Sequence, residues 1–320
     1  MKKILVIDPG KGWGHFVSKI YAFRALAENL NSKIIILTKE STQAKAYLEK
    51  EEFCEKIIYL KGFRGGLKKI FSNIKENLFQ IQRIKNLNIE TCFIFHPSCR
   101  FVFMAYFAKI KNIYGLGYKF QNFFLKKNKK LYNSFFSKCV PNDNEAIRFV
   151  EKLFNIEKIN FKPMNNYSKD QNSLVAIGIA SSEKEKRWSI ENYIQIIKHL
   201  SKNNFLNFLI ISGKDQINEE KYIEENLNNK NINLIFTSKK KINEVVPDIL
   251  KCKFYVGNDT GFAHLFINYG IKCFIIYGNC VPQYYSKLIN VIDKDENIKR
   301  SDTSIKTITI KKVLSSIELN

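Results

Sequence analysis

An aspartate, a threonine and a histidine stand close together in the segment KFYVGNDTGFAHL, residues 253–265. An apolar run is followed by Asp259 and Thr260, and a helix-like segment that carries His264 begins at Gly261. Asp and Thr are favoured at the N-cap, where their side-chain oxygens accept amide hydrogens of the first helical turn. A strand that turns into a helix N-terminus presents free N–H groups and the positive end of the helix dipole. The segment therefore predicts a phosphate site, and a ligand can come close to the backbone at Gly261.

A second candidate site is the glycine-rich segment DPGKGWGH, residues 8–15, which follows an apolar run near the N-terminus. Its closely spaced glycines let a ligand approach the backbone, although their spacing differs from the dinucleotide-binding fingerprint. The segment begins with Asp8 and ends with His15, and a carboxylate and an imidazole can both accept a proton. We expect a helix from about Phe16.

Strand-like and helix-like runs alternate along the chain, which predicts an α/β fold with parallel sheets and crossover helices. In the first half we expect strands at 3–7, 33–38, 56–60, 91–95 and 112–114, and helices at 67–87 and 144–154. In the second half we expect strands at 174–179, 205–212, 233–236, 253–256 and 272–277, and helices at 189–202, 218–227, 242–250 and 261–268. The helix at 67–87 has an apolar stripe at steps of three and four, which indicates a face packed on a sheet.

A polar, turn-rich stretch between the two halves predicts two domains. We place an N-terminal domain at 1–160, a linker at 161–173, a C-terminal domain at 174–308 and a terminal helix at 309–320. Both domains are expected to be Rossmann-like and to face each other across a cleft. Because ligands of open α/β sheets lie beyond the carboxyl ends of the strands, we expect the candidate sites to face that cleft.

Composition narrows the class of protein. The seven cysteines are odd in number and show no metal-ligand spacing, which indicates a reducing, cytoplasmic compartment and no disulfide framework. No uninterrupted apolar run reaches the roughly 20 residues that span a membrane.

The chain is strongly basic. It has 52 Lys and Arg residues against 30 Asp and Glu residues, a net charge of +22, which suits an anionic membrane surface or a phosphorylated acceptor. The cluster 126–130, KKNKK, lies among aromatic residues and predicts either an interfacial segment or a solvated loop. No nucleic-acid-binding motif is present, so we expect no nucleic acid as a partner.

The segment Asp259-Thr260-Gly261-Phe262-Ala263-His264 resembles the D-[TS]-G-x-x-H signature of glycosyltransferase family 9, the lipopolysaccharide heptosyltransferases. Lys186-Arg187-Trp188-Ser189 is similar to the family's K-x-W-[PS] element, and the segment Gly213–Asp215 loosely resembles its G-x-x-x-[DE] element. Two places depart from the family. Gly14-His15 stands where the family has Gly-Asp, and the [FY]-G-x-[ST] element reads Tyr277-Gly278-Asn279-Cys280, without the hydroxyl residue.

The resemblance implies a GT-B fold and a set of site residues. His15 would replace the family's aspartate as the base, and Lys186 would offset charge on the leaving group. The segment Gly12, Trp13 and Gly14 would form a loop near the acceptor. The alternatives to Asp215 as the ribose ligand are Gln216, Glu219 and Glu220. The residues expected to bind the donor are Ser181, Ser182, Lys186, Asp215, Asp259, Thr260, Gly261 and His264.

The implied activity is an inverting transfer of a sugar from a nucleotide sugar, with ADP-heptose as the expected donor. The expected acceptor is the core of a lipopolysaccharide or lipooligosaccharide, reached in the cytoplasm or at the inner face of the membrane. We expect no cofactor and no metal ion, and we interpret Asp293-Lys294-Asp295 as a solvated loop. The departure at His15 leaves an alternative: a catalytically idle homologue that binds a sugar nucleotide or a glycolipid.

Overall fold

The computed structural model describes residues 2–10, 12–60, 70–96, 98–116, 134–136, 144–159, 163–164, 174–227 and 230–318. They divide into two compact units, the first within residues 1–160 and the second within residues 161–320. Most of the predicted linker at 161–173 and all of the basic cluster at 126–130 lie outside the described residues. Within the described ranges, no helix combines the length and apolar character that crossing a membrane requires.

The first unit is a parallel sheet with helices between its strands. The strands are β1 (Lys2–Asp8), β2 (Ser32–Lys39), β3 (Cys54–Leu60), β4 (Thr91–Ile94), β5 (Asn112–Leu116) and β6 (Ser134–Phe136). The helices are α1 (Trp13–Val17), α2 (Ile20–Asn29), α3 (Lys45–Leu48), α4 (Ile70–Lys85), α5 (Cys99–Phe107) and α6 (Glu145–Phe154). The strand order is β3-β2-β1-β4-β5-β6, with every neighbouring pair parallel.

The second unit repeats this topology. Its strands are β7 (Leu174–Gly178), β8 (Asn207–Ile211), β9 (Asn233–Phe236), β10 (Cys252–Asn258), β11 (Lys272–Tyr277) and β12 (Ile289–Asp293). Its helices are α7 (Ile190–Lys202), α8 (Ile217–Asn226), α9 (Ile242–Ile249), α10 (Gly261–Asn268) and α11 (Ile310–Glu318). The strand order is β9-β8-β7-β10-β11-β12, so β7 to β12 take the same places as β1 to β6 in the first sheet. Every neighbouring pair is again parallel. The prediction of two Rossmann-like α/β sheets is confirmed.

Continuous apolar runs explain the central strands. Residues 4–8 of β1 and 254–258 of β10 are buried at every position, as expected for a strand that helices cover on both faces. The apolar stripe of α4 behaves differently along its length. Ile84 is buried in the core of the first unit, whereas Ile74 and Leu78 are 48% and 61% exposed. The prediction that the stripe packs on the sheet is therefore wrong at Ile74 and Leu78, and residues 67–69 of the predicted helix lie outside the described residues.

Three local expectations need correction. The helix after the glycine-rich segment begins at Trp13 rather than near Phe16, so His15 lies inside α1. The edge strands β6 and β12 were not expected, because each is short and has few apolar residues in a row. Asp293 is the last residue of β12 rather than part of a loop. It pairs with Arg300, and Asp295 pairs with Lys312.

Candidate functional site

The carboxyl ends of β7 and β10 form the centre of the candidate site. These neighbouring strands place Gly178 opposite Gly257. A Cβ atom on Gly257 would collide with the backbone of Gly178, and a Cβ atom on Gly178 would collide with the Tyr255 ring. The two glycines therefore allow a close approach of the strands. The strand order reverses direction between β7 and β10, which is the topological switch point where ligands of open α/β sheets bind.

Asn258, the last residue of β10, forms side-chain hydrogen bonds that link this end of the strand to neighbouring elements. It is 0% exposed, and its Nδ2 donates to the Ile179 carbonyl at 2.8 Å. Its Oδ1 accepts from the Trp188 amide at 3.0 Å and from the Tyr193 hydroxyl at 2.8 Å. One side chain thus joins the end of β10 to the residue after β7 and to the start of α7. Sequence reasoning missed this residue because its partners are 65 to 79 positions away.

We expect Asn258→Leu to destabilise the second unit by about 3 kcal/mol, at about 1 kcal/mol or more for each lost hydrogen bond. The variant leaves the Trp188 amide and the Tyr193 hydroxyl without their partner and removes one of the two hydrogen bonds to the Ile179 carbonyl. Chemical denaturation measures the loss. The matched control is Asn226→Leu, since Asn226 is exposed and donates only to the Tyr222 carbonyl one turn earlier among the described residues. Equal stability of the two variants would contradict the role given to Asn258.

A chain of polar contacts follows Asn258. His264, on the first turns of α10, places Nε2 3.6 Å from Asp259 Oδ1 and Nδ1 2.7 Å from the Tyr285 hydroxyl. The imidazole also stacks on the Tyr285 ring, with 5.8 Å between centroids. On the other side, the Cys280 thiol donates to Asp259 Oδ2 at 3.4 Å. Asp259 is thus held between an imidazole and a thiol, and Tyr285 and Cys280 belong to the site although the sequence did not single them out.

The start of α10 has an open N-terminus. Thr260 occupies the N-cap position, as predicted, but its side chain makes no capping hydrogen bond to the described residues. The expectation that Thr260 caps the helix through its oxygen is therefore wrong, although its backbone has the extended conformation that is usual at an N-cap. The first-turn amides keep their capacity to bind an anion, and the positive end of the helix dipole favours one.

Several buried oxygens at this edge of the sheet have no hydrogen-bond partner among the described residues: Asp259 Oδ1, Thr260 Oγ1, Asn279 Oδ1 and Gln283 Oε1. Asn279 and Gln283 lie in the segment after β11 that also carries Cys280. A buried polar atom that stays unpaired costs about 1–3 kcal/mol, so such atoms are uncommon away from functional sites. Three of the four belong to acceptor groups, which suit the hydroxyl hydrogens of a sugar.

Lys186 supplies positive charge beside these groups. Its ammonium pairs with Glu183 at 3.1 Å, and its side chain is 21% exposed. Partial burial alone would lower the pKa of Lys186, but the hydrogen bond that its ammonium donates to Glu183 and the negative charge of Asp259 outweigh it, and the pKa lies above its usual value. Lys186 therefore stays protonated at neutral pH and acts as a fixed cation, not as a base.

Arg187 connects two of the predicted donor-binding residues. Its guanidinium donates to the Ser181 carbonyl through Nε at 2.9 Å and Nη2 at 2.7 Å, and Nη2 reaches Asp215 Oδ2 at 2.5 Å. The hydrogen bond from Arg187 holds the pKa of Asp215 below its usual range. The carboxylate of Asp215 thus stays ionised and is fixed near the end of β7. Sequence reasoning passed over Arg187, since only the neighbouring Lys186 matched a family role.

The remaining candidates in the second unit differ in exposure and in their partners. Ser181 is buried and its hydroxyl accepts from the Glu183 amide at 3.3 Å, whereas Ser182 is exposed. Gln216 is buried and donates to the Ile179 carbonyl at 3.0 Å. Glu220 is buried and accepts from Ser212 and Ser238. The internal partners of Gln216 and Glu220 leave Asp215 and the half-buried Glu219 as the candidates that are open to a ligand.

Arg300 fastens the segment after β11. Its Nη1 donates to the carbonyls of Gly278 and Cys280 at 2.7 Å and 2.5 Å, and its guanidinium pairs with Asp293 at 2.5 Å. A single guanidinium therefore ties the backbone on either side of Asn279 to the end of β12. This contact fixes the position of the Cys280 thiol beside Asp259. Nothing in the local sequence around Arg300 pointed to it.

In the first unit, the glycine-rich segment surrounds a buried ion pair. Asp8 is 0% exposed and pairs with the Lys19 ammonium at 3.1 Å, and its Oδ1 accepts from the Gly10 amide at 3.2 Å. Burial raises the pKa of Asp8 against the opposing effects of Lys19 and Gly10. Gly10 has φ +44°, a left-handed conformation that glycine adopts readily. His15 is exposed on α1, after the N-cap Gly12, and Trp13 and Gly14 are partly buried.

Comparisons with known proteins agree with this architecture. Residues 97–307 match the sequence profile of Glycosyltransferase family 9 (heptosyltransferase). The structure is similar to that of Escherichia coli ADP-heptose lps heptosyltransferase II, with a TM-score of 0.76 and 15% identity over 100% of this chain and 98% of that chain. The structure of a glycosyl transferase family 9 protein from Veillonella parvula matches with a TM-score of 0.74 and 15% identity, over 99% of this chain and 96% of that chain. The structure of E. coli heptosyltransferase WaaC with ADP matches with a TM-score of 0.74 and 15% identity, over 99% of this chain and 99% of that chain. No curated protein sequence matches the chain.

The two Rossmann-like sheets and these structural likenesses show the GT-B fold. The profile match covers about two thirds of the chain, and the chain belongs to glycosyltransferase family 9. The resemblance drawn from the motifs at 186–189 and 259–264 is thereby confirmed.

Proposed function

We propose that the protein transfers a heptose from ADP-heptose to the core of a lipopolysaccharide or lipooligosaccharide, by a single inverting displacement. The observation that carries this proposal is the joint presence of an uncapped helix N-terminus, a fixed ammonium and unpaired acceptor oxygens at one switch point. The first two suit a diphosphate and the third suits a sugar. The E. coli relatives, described as an ADP-heptose enzyme and as heptosyltransferase with ADP, support the choice of donor.

On the donor side, the amides at the start of α10 and the Lys186 ammonium would bind the diphosphate and stabilise its charge as it departs. Ser181 and Ser182 would add hydrogen bonds to the same phosphates, and Gly261 would let them approach the backbone. Asp259, oriented by His264, would accept hydrogen bonds from the sugar. Asp215 would hold the ribose.

On the acceptor side, we propose that His15 takes the proton of the attacking hydroxyl, with Gly12, Trp13 and Gly14 forming the loop beside the acceptor. An exposed imidazole can reach a substrate, whereas the Asp8 carboxylate is fully buried and bound to Lys19. Asp8 is therefore the weaker candidate. No metal ion or cofactor enters this proposal, because Lys186 and the helix start supply the positive charge that the leaving group needs.

The place of reaction follows from the acceptor. A glycolipid core precursor would be presented at the inner face of the cytoplasmic membrane, and the net charge of +22 suits transient contact with an anionic surface. We propose a cytoplasmic protein that meets the membrane peripherally.

Arg187→Lys is expected to raise KM for the donor about tenfold with little change in kcat. A lysine cannot reproduce the forked contact to the Ser181 carbonyl and to Asp215, so the ribose ligand would lose its fixed position. Steady-state kinetics with varied donor measure the effect. Asp215→Asn should give a KM change in the same direction, and a drop in kcat alone in either variant would contradict the positioning role.

A thermal-shift panel of ADP-, GDP-, UDP- and CDP-sugars tests the proposal. A ligand at a hundred times its Kd stabilises the native state by about 2.7 kcal/mol, so ADP-heptose should raise the Tm of this 320-residue chain by about 4 °C. The other donors should shift Tm less, and release of ADP should require the acceptor. A shift by ADP-heptose without any turnover would favour the idle homologue, and a preference for another nucleotide would overturn the choice of donor.

A further inference from the structure

A cavity with a volume of about 540 Å³ lies at the amino edge of the second sheet. Its floor is formed by the first residues of β10 and β11 and by Phe205 before β8, and its sides by α7 and α11. The candidate donor site is formed by the carboxyl ends of the same strands. The cavity is therefore separate from the site described above, and its volume falls in the range typical of small-molecule sites.

The walls of the cavity are apolar. Phe254 packs edge-to-face against Phe205, with centroids 5.8 Å apart, and against Phe274, with centroids 5.7 Å apart. Leu314 and Ile317 of α11 complete the wall, and both pack against the hydrophobic core of the second unit. A surface of three phenylalanine rings and two aliphatic side chains suits an apolar chain, since it offers few polar groups along its length.

Five polar residues line the cavity, and two of them are lysines: His199, Asn203, Lys253, Lys272 and Glu318. The Lys253 ammonium lies 5.1 Å from the centroid of the Phe205 ring, and the Lys272 ammonium lies 5.6 Å from that of Phe274. The carboxylate on the wall, that of Glu318, is bound to His199 Nε2 at 2.9 Å. The two ammonium groups lie over the aromatic floor and outnumber the one carboxylate, which already has a partner in His199, so the charge of the cavity complements an anion.

We propose that this cavity binds an anionic amphiphile. Its alkyl chain would lie on the phenylalanine rings and on α11, and its terminal carboxylate or phosphate would meet Lys253 and Lys272. Both a fatty acid and a lipid phosphate have this chemistry. The proposal does not depend on the nature of the sugar donor, since the two sites share no residues.

Calorimetric titration of the full chain with dodecanoate, below its micelle-forming concentration, tests the proposal. Dodecanoate should bind, and dodecanol should bind about tenfold more weakly because it lacks the charge. Lys253→Met should weaken dodecanoate binding about tenfold and leave dodecanol unaffected. Lys221→Met, which removes an exposed lysine of α8, is the matched control and should change neither. Leu314→Trp, which fills the cavity, should abolish binding of both.

The source of the anion is distinguished by a second titration with dodecyl phosphate. Tighter binding of dodecyl phosphate assigns the site to lipid phosphates, and tighter binding of dodecanoate assigns it to fatty acids. Inorganic phosphate should not bind, because it has no chain. Equal binding of dodecanoate and dodecyltrimethylammonium, or binding of dodecanoate that Lys253→Met leaves unchanged, would overturn the proposal. Binding that appears only after removal of residues 319–320 would overturn it as well.

Discussion

Replacing Lys186 by methionine is expected to lower kcat/KM by about a hundredfold to a thousandfold, the effect of removing one preorganised charge from the leaving group. Lys186 is held by Glu183 and kept protonated beside Asp259, so its ammonium needs little reorganisation when the diphosphate departs. Methionine keeps the length of the side chain and removes the charge. Single-turnover kinetics with a saturating donor would place the loss in the chemical step.

Lys184 provides a matched control for this variant. It lies in the same short turn, two residues before Lys186, and its side chain is exposed. Lys184→Met removes the same charge from the same turn and should leave kcat/KM within about twofold, since exposed charges interact weakly. If both variants lost activity equally, the net charge of the turn, and not the position of Lys186, would be responsible.

Replacing His15 by alanine is expected to lower kcat by about a hundredfold to ten-thousandfold, the usual contribution of a general base. The informative variant is His15→Asp, which restores the residue type that the family has at this place. It should keep most of the activity, because a carboxylate can accept the same proton. The acidic limb of its pH–rate profile should lie about 2.6 pH units lower, as expected from the reference pKa values of the two side chains.

The outcomes for His15 separate three interpretations. Loss in His15→Ala together with a shifted profile in His15→Asp supports a base at this position. Full activity in His15→Ala would show that another group takes the proton. Near-zero turnover in the wild-type protein, with the donor still bound, would support the idle homologue.

The spacing of apolar residues and the helix-capping residues were enough to predict most of the fold. The helix predicted at 261–268 has the same first and last residues as α10. Ser189 is the N-cap of α7, and its hydroxyl accepts a hydrogen bond from the Asn192 amide at 3.4 Å. These elements follow from apolar periodicity and capping preferences, which depend on residues close in sequence. The edge strand β12 was missed because Ile289–Asp293 has two polar residues in five, and it forms only through pairing with β11.

The sequence singled out residues that we propose to meet the ligand, but not the residues that hold other side chains and loops in place. Asp259 and Lys186 stood out by type and position. Asn258, Arg187 and Arg300 act through partners distant in the chain, and single polar residues in these places have no local signature. The absent hydroxyl after Asn279 looked like a loss from the sequence, but the Cys280 thiol stands there and donates to Asp259.

The high pKa of the Cys280 thiol affects how readily it would react with electrophiles and oxidants. Burial, with the nearby Asp259 carboxylate, raises the pKa of Cys280 to about 12, so almost none of it is thiolate at neutral pH. Alkylating agents and peroxides attack the thiolate. A covalent inhibitor that targets this cysteine would therefore find a poor nucleophile, and the donor pocket should tolerate oxidative stress that inactivates many cysteine-bearing enzymes.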